Sequence, residues 1–146
     1  MAATTPAAFD PKPKCLGRVI DGIAGVAILA GQVVSVEATG IGFQFQACDG
    51  VTTAMPVGVA LYSQATVGGP IAVAGVGSVL KVCEGAGTDI DAGDMVQCDV
   101  STALGCVITA ITTAVSYQFA VALEDIAANS TGYVLLTGPL YLGKGA

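Results

Sequence analysis

Apolar residues along the chain recur in short runs with a period of two, and the runs are cut by Gly, Asp-Gly and Ala-Gly steps. Val33, Val34 and Val36 precede Glu37; Ile41, Phe43 and Phe45 alternate with Gly42, Gln44 and Gln46; Val57, Val59 and Leu61 alternate with Gly58, Ala60 and Tyr62. A period of two sends successive side chains to opposite faces of an extended backbone, so each run predicts a strand with one buried face. Residues 70–83 and 132–142 predict further strands, each with a glycine that marks a bend or bulge. No segment carries a long helical stripe with caps. The nearest is AVALEDIAAN, where Leu123 and Ile126 would share a helical face over too short a length. The expectation is an all-β chain: a compact barrel- or sandwich-like body over residues 18–146. Residues 1–17 read differently, because Pro6, Pro11 and Pro13 disfavour helix and favour extended backbone, and they are predicted to form an N-terminal arm.

Shifting the sequence against itself by 62 residues aligns 24–75 with 86–137 without a gap. Ten positions are identical: Ala24, Gly25, Ile28, Ala30, Gly31, Val34, Val59, Ala60, Leu61 and Ala65 fall on their counterparts from Ala86 to Ala127. In both halves an Ala-Gly turn precedes a Val-containing strand, and a Val-Ala-Leu strand leads into a polar turn. Two similar β units follow as an expectation.

Composition changes what those strands can be for. Of the 146 residues, 53% are hydrophobic and only 11% charged, with 20 Gly and no Trp, whereas ordinary domains carry about 25% charged residues. The exposed surface must be built largely from Gly, Ala, Thr and apolar atoms, which suits burial against partners. Residues 100–123 are uncharged over a length that would span a bilayer, but Ser101, Thr102, Thr109, Thr112, Thr113, Ser116 and Gln118 interrupt the run and no basic cluster flanks it. No membrane association is expected. The first residues lack a basic start and apolar core of a signal peptide, so folding in the cytoplasm is expected. Charge is divided unevenly within the net −6: residues 1–18 hold Lys12, Lys14 and Arg18 against Asp10, while the remainder is strongly acidic. An acidic body gives nucleic acid no surface, whereas the basic arm either suits an acidic protein surface or is a plain solvated tail.

Candidate chemistry is sparse. There is no His, and no GxSxG, Walker or GxGxxG motif occurs, so no enzymatic activity is expected. Ser78 and Lys81 match SxxK, but in a strand that spacing puts the two side chains on opposite faces. Glu84, Asp89, Asp91 and Asp94 are oxygen donors without the spacing or closing Glu of a calcium loop, and they predict a solvated inter-strand loop. Asn129-Ser130-Thr131 matches a glycosylation sequon that a polar turn explains. Cys15, Cys48, Cys83, Cys98 and Cys106 are odd in number, irregularly spaced and without a CxxC pair, so neither a disulfide framework nor zinc is expected, and most should be buried fillers. No metal or cofactor is implied. Phe43, Phe45, Tyr62, Phe119, Tyr133 and Tyr141 suit core or interface equally.

Several segments, taken in order, resemble the capsid decoration (cement) proteins of tailed phages. They are the GxVxxGxAG pattern over 17–25, Ala30-Gly31-Gln32-Val33-Val34, Gly58-Val59-Ala60-Leu61, Ala92-Gly93-Asp94-Met95-Val96, and VALEDIAAN followed by GYVLL. The resemblance covers about Gly17 to Leu142; the Pro-containing arm and the cysteines depart from it. It implies a β-rich body that forms a homotrimer on the capsid exterior, binds the major capsid protein and reinforces the shell, with no catalytic residues. Pro6, Phe9, Pro11, Lys12, Lys14 and Arg18 are the candidates for a capsid-binding arm, since an extended segment can add to an exposed sheet edge. A tail- or fibre-associated virion component, or a cell-surface module, is the alternative.

Overall fold

The computed structural model describes residues 8–37, 43–48, 55–98, 105–109 and 116–142. Every regular element among them is a strand. The first five are β1 (Val19–Ala24), β2 (Val33–Val36), β3 (Gln44–Ala47), β4 (Pro56–Ala60) and β5 (Pro70–Ala74). They close into a barrel in the order β1-β3-β2-β4-β5, with β1 and β3 parallel at the seam and the other pairs antiparallel. The second five are β6 (Val79–Cys83), β7 (Met95–Cys98), β8 (Val107–Thr109), β9 (Ser116–Ala122) and β10 (Thr131–Leu142). They form a sheet in the order β6-β10-β9-β7-β8.

The two strand orders are the same order twice, and the registers match. Val33↔Val59 recurs as Met95↔Val121, and Val34↔Gly58 as Val96↔Ala120. The register slip between Val34 and Ser35 returns between Val96 and Gln97. Outside the strands, the Ile28↔Gln64 bridge returns as Ile90↔Ile126. Gly31 and Gly93 turn with φ of 86° and 91°, a left-handed conformation that glycine adopts without strain. Even the seam recurs: Ala24↔Phe45 of the first unit corresponds to the parallel bridge Glu84↔Val107. The second sheet is thus curled toward the same closed form.

Where alternation fails, the reason is packing on both faces. Val33 and Val34 are both fully buried, as are Val59 and Ala60, and Val73 and Ala74. One member of each pair (Val34, Ala60, Val73) joins Ala24, Ile28, Phe45 and Ile71 inside the first barrel. The other (Val33, Val59, Ala74) joins Leu80, Val82, Val96, Phe119 and Leu136 in a second cluster that spans both units. A strand covered on both sides reads as a continuous apolar run, so its period is hidden.

Two expectations are modified, over residues 70–83 and at Phe43, while the absence of a helix in AVALEDIAAN is met. Residues 70–83 are two strands in different sheets, β5 and β6, joined through a turn at Gly77 with φ 87°. AVALEDIAAN supplies the end of β9 and a turn, in which Ile126 is buried and Leu123 is exposed. Phe43 does not share the buried face of Phe45: its φ is 54°, which breaks the alternation and leaves the ring 71% exposed. Its counterpart in the second unit is Gly105, at φ 73°. Ile41 lies outside the described residues. No helix among the described residues is long and apolar enough to cross a membrane.

Candidate interaction surfaces

Of the six arm residues, Pro6 lies outside the described residues. The stretch from Phe9 to Arg18 is a strap laid on the chain's own body. The Phe9 N–H donates to the Ala30 carbonyl (3.3 Å), and its ring covers Gly31 so closely that a Cβ there would lie 2.4 Å from the ring. Pro11 is buried, and its carbonyl accepts the Lys81 N–H (2.7 Å). Cys15 bridges Val79 antiparallel, with the Val79 N–H donating to the Cys15 carbonyl at 2.8 Å. The Gly17 N–H donates to the buried Ser78 hydroxyl (2.9 Å), and the Arg18 N–H donates to the Val76 carbonyl (3.1 Å). Residues 11–15 thereby occupy the part of the β6 edge that β8 leaves open, and an occupied edge cannot template a foreign strand. β-addition of this segment to another protein would require its release.

The strap also gathers positive charge. Lys14 and Lys81 place their ammonium groups 4.5 Å and 5.3 Å from the centroid of the Tyr133 ring, while the Tyr133 hydroxyl donates to the Lys12 carbonyl (3.2 Å). An aromatic face attracts cations and holds their stems in place. Lys12 itself is exposed at φ 42°, its N–H donating to the Asp10 carboxylate (2.9 Å). The result is a basic spot on an acidic body. Lys81 thus faces Tyr133 while Ser78 is bonded to Gly17, so the structure does not join the SxxK pair.

The acidic stretch is wired rather than solvated at its start. Glu84 is 1% exposed, and its carboxylate accepts the N–H groups of Ala86 (2.7 Å), Gly87 (3.0 Å), Thr88 (3.3 Å) and Asn129 (2.7 Å). Such charge-assisted bonds are among the stronger ones in proteins. Asp89 and Asp125 are exposed and accept from Ala128 and Ala92, each at 2.9 Å. The second of these repeats the bond from Ala30 to Ser63 in the first unit. Among the described residues, no group of three His, Cys, Asp or Glu side chains is arranged to hold a metal ion.

A further surface follows from the repetition of the barrel. In the first unit the cross-strand row Val33–Val59–Ala74 is fully buried against the second unit. Its counterpart is Met95–Val121–Leu135, and these side chains are only half-buried. Exposed apolar side chains elsewhere include Phe43, Val36, Met55, Val67 and Val76. Phe45 and Phe119 are core, Tyr62 is exposed, and Tyr133 is half-buried beneath Lys14 of the strap and Lys81 of β6.

The paired turns allow a matched test. Gly93→Ala, with nothing within 4 Å, should cost about 1 kcal/mol for the left-handed backbone alone. Gly31→Ala carries the same backbone cost and must also displace the Phe9 ring, so a loss of roughly 2–3 kcal/mol is expected. Chemical denaturation of the two variants measures the difference, which should vanish in a Phe9→Ala background.

The fold defines an all-β protein made of a closed five-stranded barrel and a second sheet of like topology. No family model matches the chain, and no curated protein matches it significantly in sequence. Among solved structures it is similar to the head fiber gp8.5 N base of bacteriophage phi29, with a TM-score of 0.60 over 84% of this chain and 97% of that one. Identity is 13%, so the likeness is one of fold.

Proposed function

We propose that this chain is a structural protein of a phage head: a capsid decoration protein that binds the outside of the shell as a homotrimer and stabilises it, without catalysis. The observation that supports this most is that a protein named as the base of a head fiber has this fold over 97% of its length. The ordered segments that resemble decoration proteins point the same way. The physical reading agrees. A surface with 11% charged residues gains when its flanks are buried against siblings and its base against the major capsid protein. The half-buried Met95–Val121–Leu135 row offers such a flank, and the basic spot around Tyr133 suits an acidic protein surface. Nucleic acid and membrane have no part in this reading. Many copies on a repeating shell convert weak contacts into durable attachment. The virion exterior is the expected location, reached after assembly in the host cytoplasm.

Purified protein added to undecorated phage capsids should bind saturably and raise the capsid melting temperature. Absence of binding would overturn the reading. A second reading, the base of a head fibre, is favoured by what the similar phi29 protein is named for. Electron microscopy separates the two: a decoration protein gives low knobs over the shell, and a fibre base carries a projecting rod.

A further inference from the structure

We propose that Cys83 and Cys106 form a redox-sensitive thiol pair whose oxidation to a disulfide fastens the seam between the two ends of the second sheet. The geometry rests on the duplicated fold. Glu84 and Val107 are parallel bridge partners, and the Gly85 N–H donates to the Val107 carbonyl (3.1 Å). The residues one step back on each strand, Cys83 and Cys106, are therefore in register. Their counterparts in the first unit, Ile23 and Gln44, are themselves a registered pair. Neighbouring strands lie about 4.8 Å apart, inside the Cα separation that disulfides span. Side chains alternate along extended backbone, so the two thiols one step back from the Glu84–Val107 bridge lie on the same face as each other.

The Cys83 thiol donates to the Glu84 carbonyl (3.4 Å), and a hydrogen bond from Cys106 holds the Cys83 thiol below its ordinary pKa. A hydrogen bond to sulfur favours the thiolate, which is the nucleophile in disulfide exchange. Access is asymmetric in a useful way. Cys83 is half-buried and can meet a small oxidant, whereas Cys106 is 1% exposed and shielded from one. Cys48 and Cys98 are buried and Cys15 is exposed.

The chemistry requires a low-molecular-weight disulfide. The Cys83 thiolate attacks one of its sulfurs, forming a mixed disulfide and expelling one small thiolate. Cys106 then loses its proton and attacks Cys83 Sγ, forming the Cys83–Cys106 bond and expelling the second. Two protein thiols are oxidised by two electrons, and one small disulfide is reduced to two thiols. The product ties β6 to β8 where the seam has an isolated bridge in place of a ladder. It needs neither a capsid nor a trimer.

The test uses the full chain incubated with oxidised glutathione. Intact mass should fall by about 2 Da, and digestion at acidic residues after alkylation should yield one linked species joining the peptides that contain Cys83 and Cys106. The thermal midpoint should rise by about 5–10 °C and return with dithiothreitol. Cys15→Ser should keep the whole response. Cys106→Ser should lose the linked species and retain glutathione on Cys83. Free alkylation of both cysteines after oxidation would overturn the proposal. So would a glutathione adduct that persists on Cys83 in the unsubstituted chain, or a link from Cys83 to any other cysteine.

Discussion

Glu84→Ala is expected to lower the stability of the folded chain by about 3–4 kcal/mol, more than either of the turn-glycine substitutions. The carboxylate is buried, and four backbone N–H groups converge on its two oxygens. Removing it strands four donors at once, from two separate segments, 86–88 and 129. Water can enter the emptied site and recover part of the loss, which keeps the cost below the sum of four charge-assisted bonds. Glu84→Gln separates charge from shape. One of its terminal atoms still accepts, while the other becomes a donor facing a donor, so an intermediate loss of about 2 kcal/mol is expected. Urea unfolding checks both. A near-neutral Ala variant would show that the loop after β6 is organised by other means. Hydrogen exchange at Ala86, Gly87, Thr88 and Asn129 should accelerate in step with the loss.

Deleting residues 1–17 should be the other large effect, and it should act on the isolated protein before any capsid is present. The strap carries backbone hydrogen bonds to Ala30, Val79 and Lys81, the Phe9 ring over Gly31 and the buried Pro11. Against these stands the cost of ordering an otherwise loose segment, so a net loss of about 2 kcal/mol is expected. The more visible consequence is an exposed β6 edge, which invites pairing between chains. Size-exclusion chromatography should therefore show concentration-dependent association in the deleted form, together with a lower thermal midpoint. A monodisperse deletion variant of unchanged stability would mean that the strap contributes nothing to the body. In that case an effect of the deletion on capsid attachment could be read as contact with the capsid. Otherwise binding measurements on the deletion must be corrected for the altered body.

The strands are legible in the sequence where one face is buried and the other is open, as at β6, whose Leu80 and Val82 are core between half-buried neighbours. They are legible as well from continuous apolar runs, though the reason, burial between two units, cannot be read from Val33-Val34 or Val59-Ala60 alone. The shift of 62 residues marks the right counterparts in β2, β3 and β4. At the seam strand it does not: the counterpart of Ala24 is Glu84, two residues short of Ala86. The identity of Ala24-Gly25 with Ala86-Gly87 is therefore a coincidence of abundant residues, which a gap-free comparison has no means of detecting. Glu84 is legible only as one acid among four. Its signal is the Gly-Ala-Gly-Thr that follows, a run of small residues able to turn successive N–H groups toward one carboxylate. Phe43 escapes the pattern because period two carries no information about a residue held at positive φ. The prolines mark residues 1–17 as extended, but which edge the segment follows is a long-range question that its own residues do not encode.

The strap also sets an order of events during synthesis. Its first anchor, the Ala30-Gly31 turn, emerges from the ribosome well before its second, Val79 and Lys81 on β6. All five strands of the first barrel are available once Ala74 has been made, yet the strap cannot seat until β6 follows. At roughly 5–20 residues per second that interval lasts about a second, ample for a small barrel to collapse. The N-terminus thus becomes the last part of the first half to settle, joining a finished barrel to one still being made.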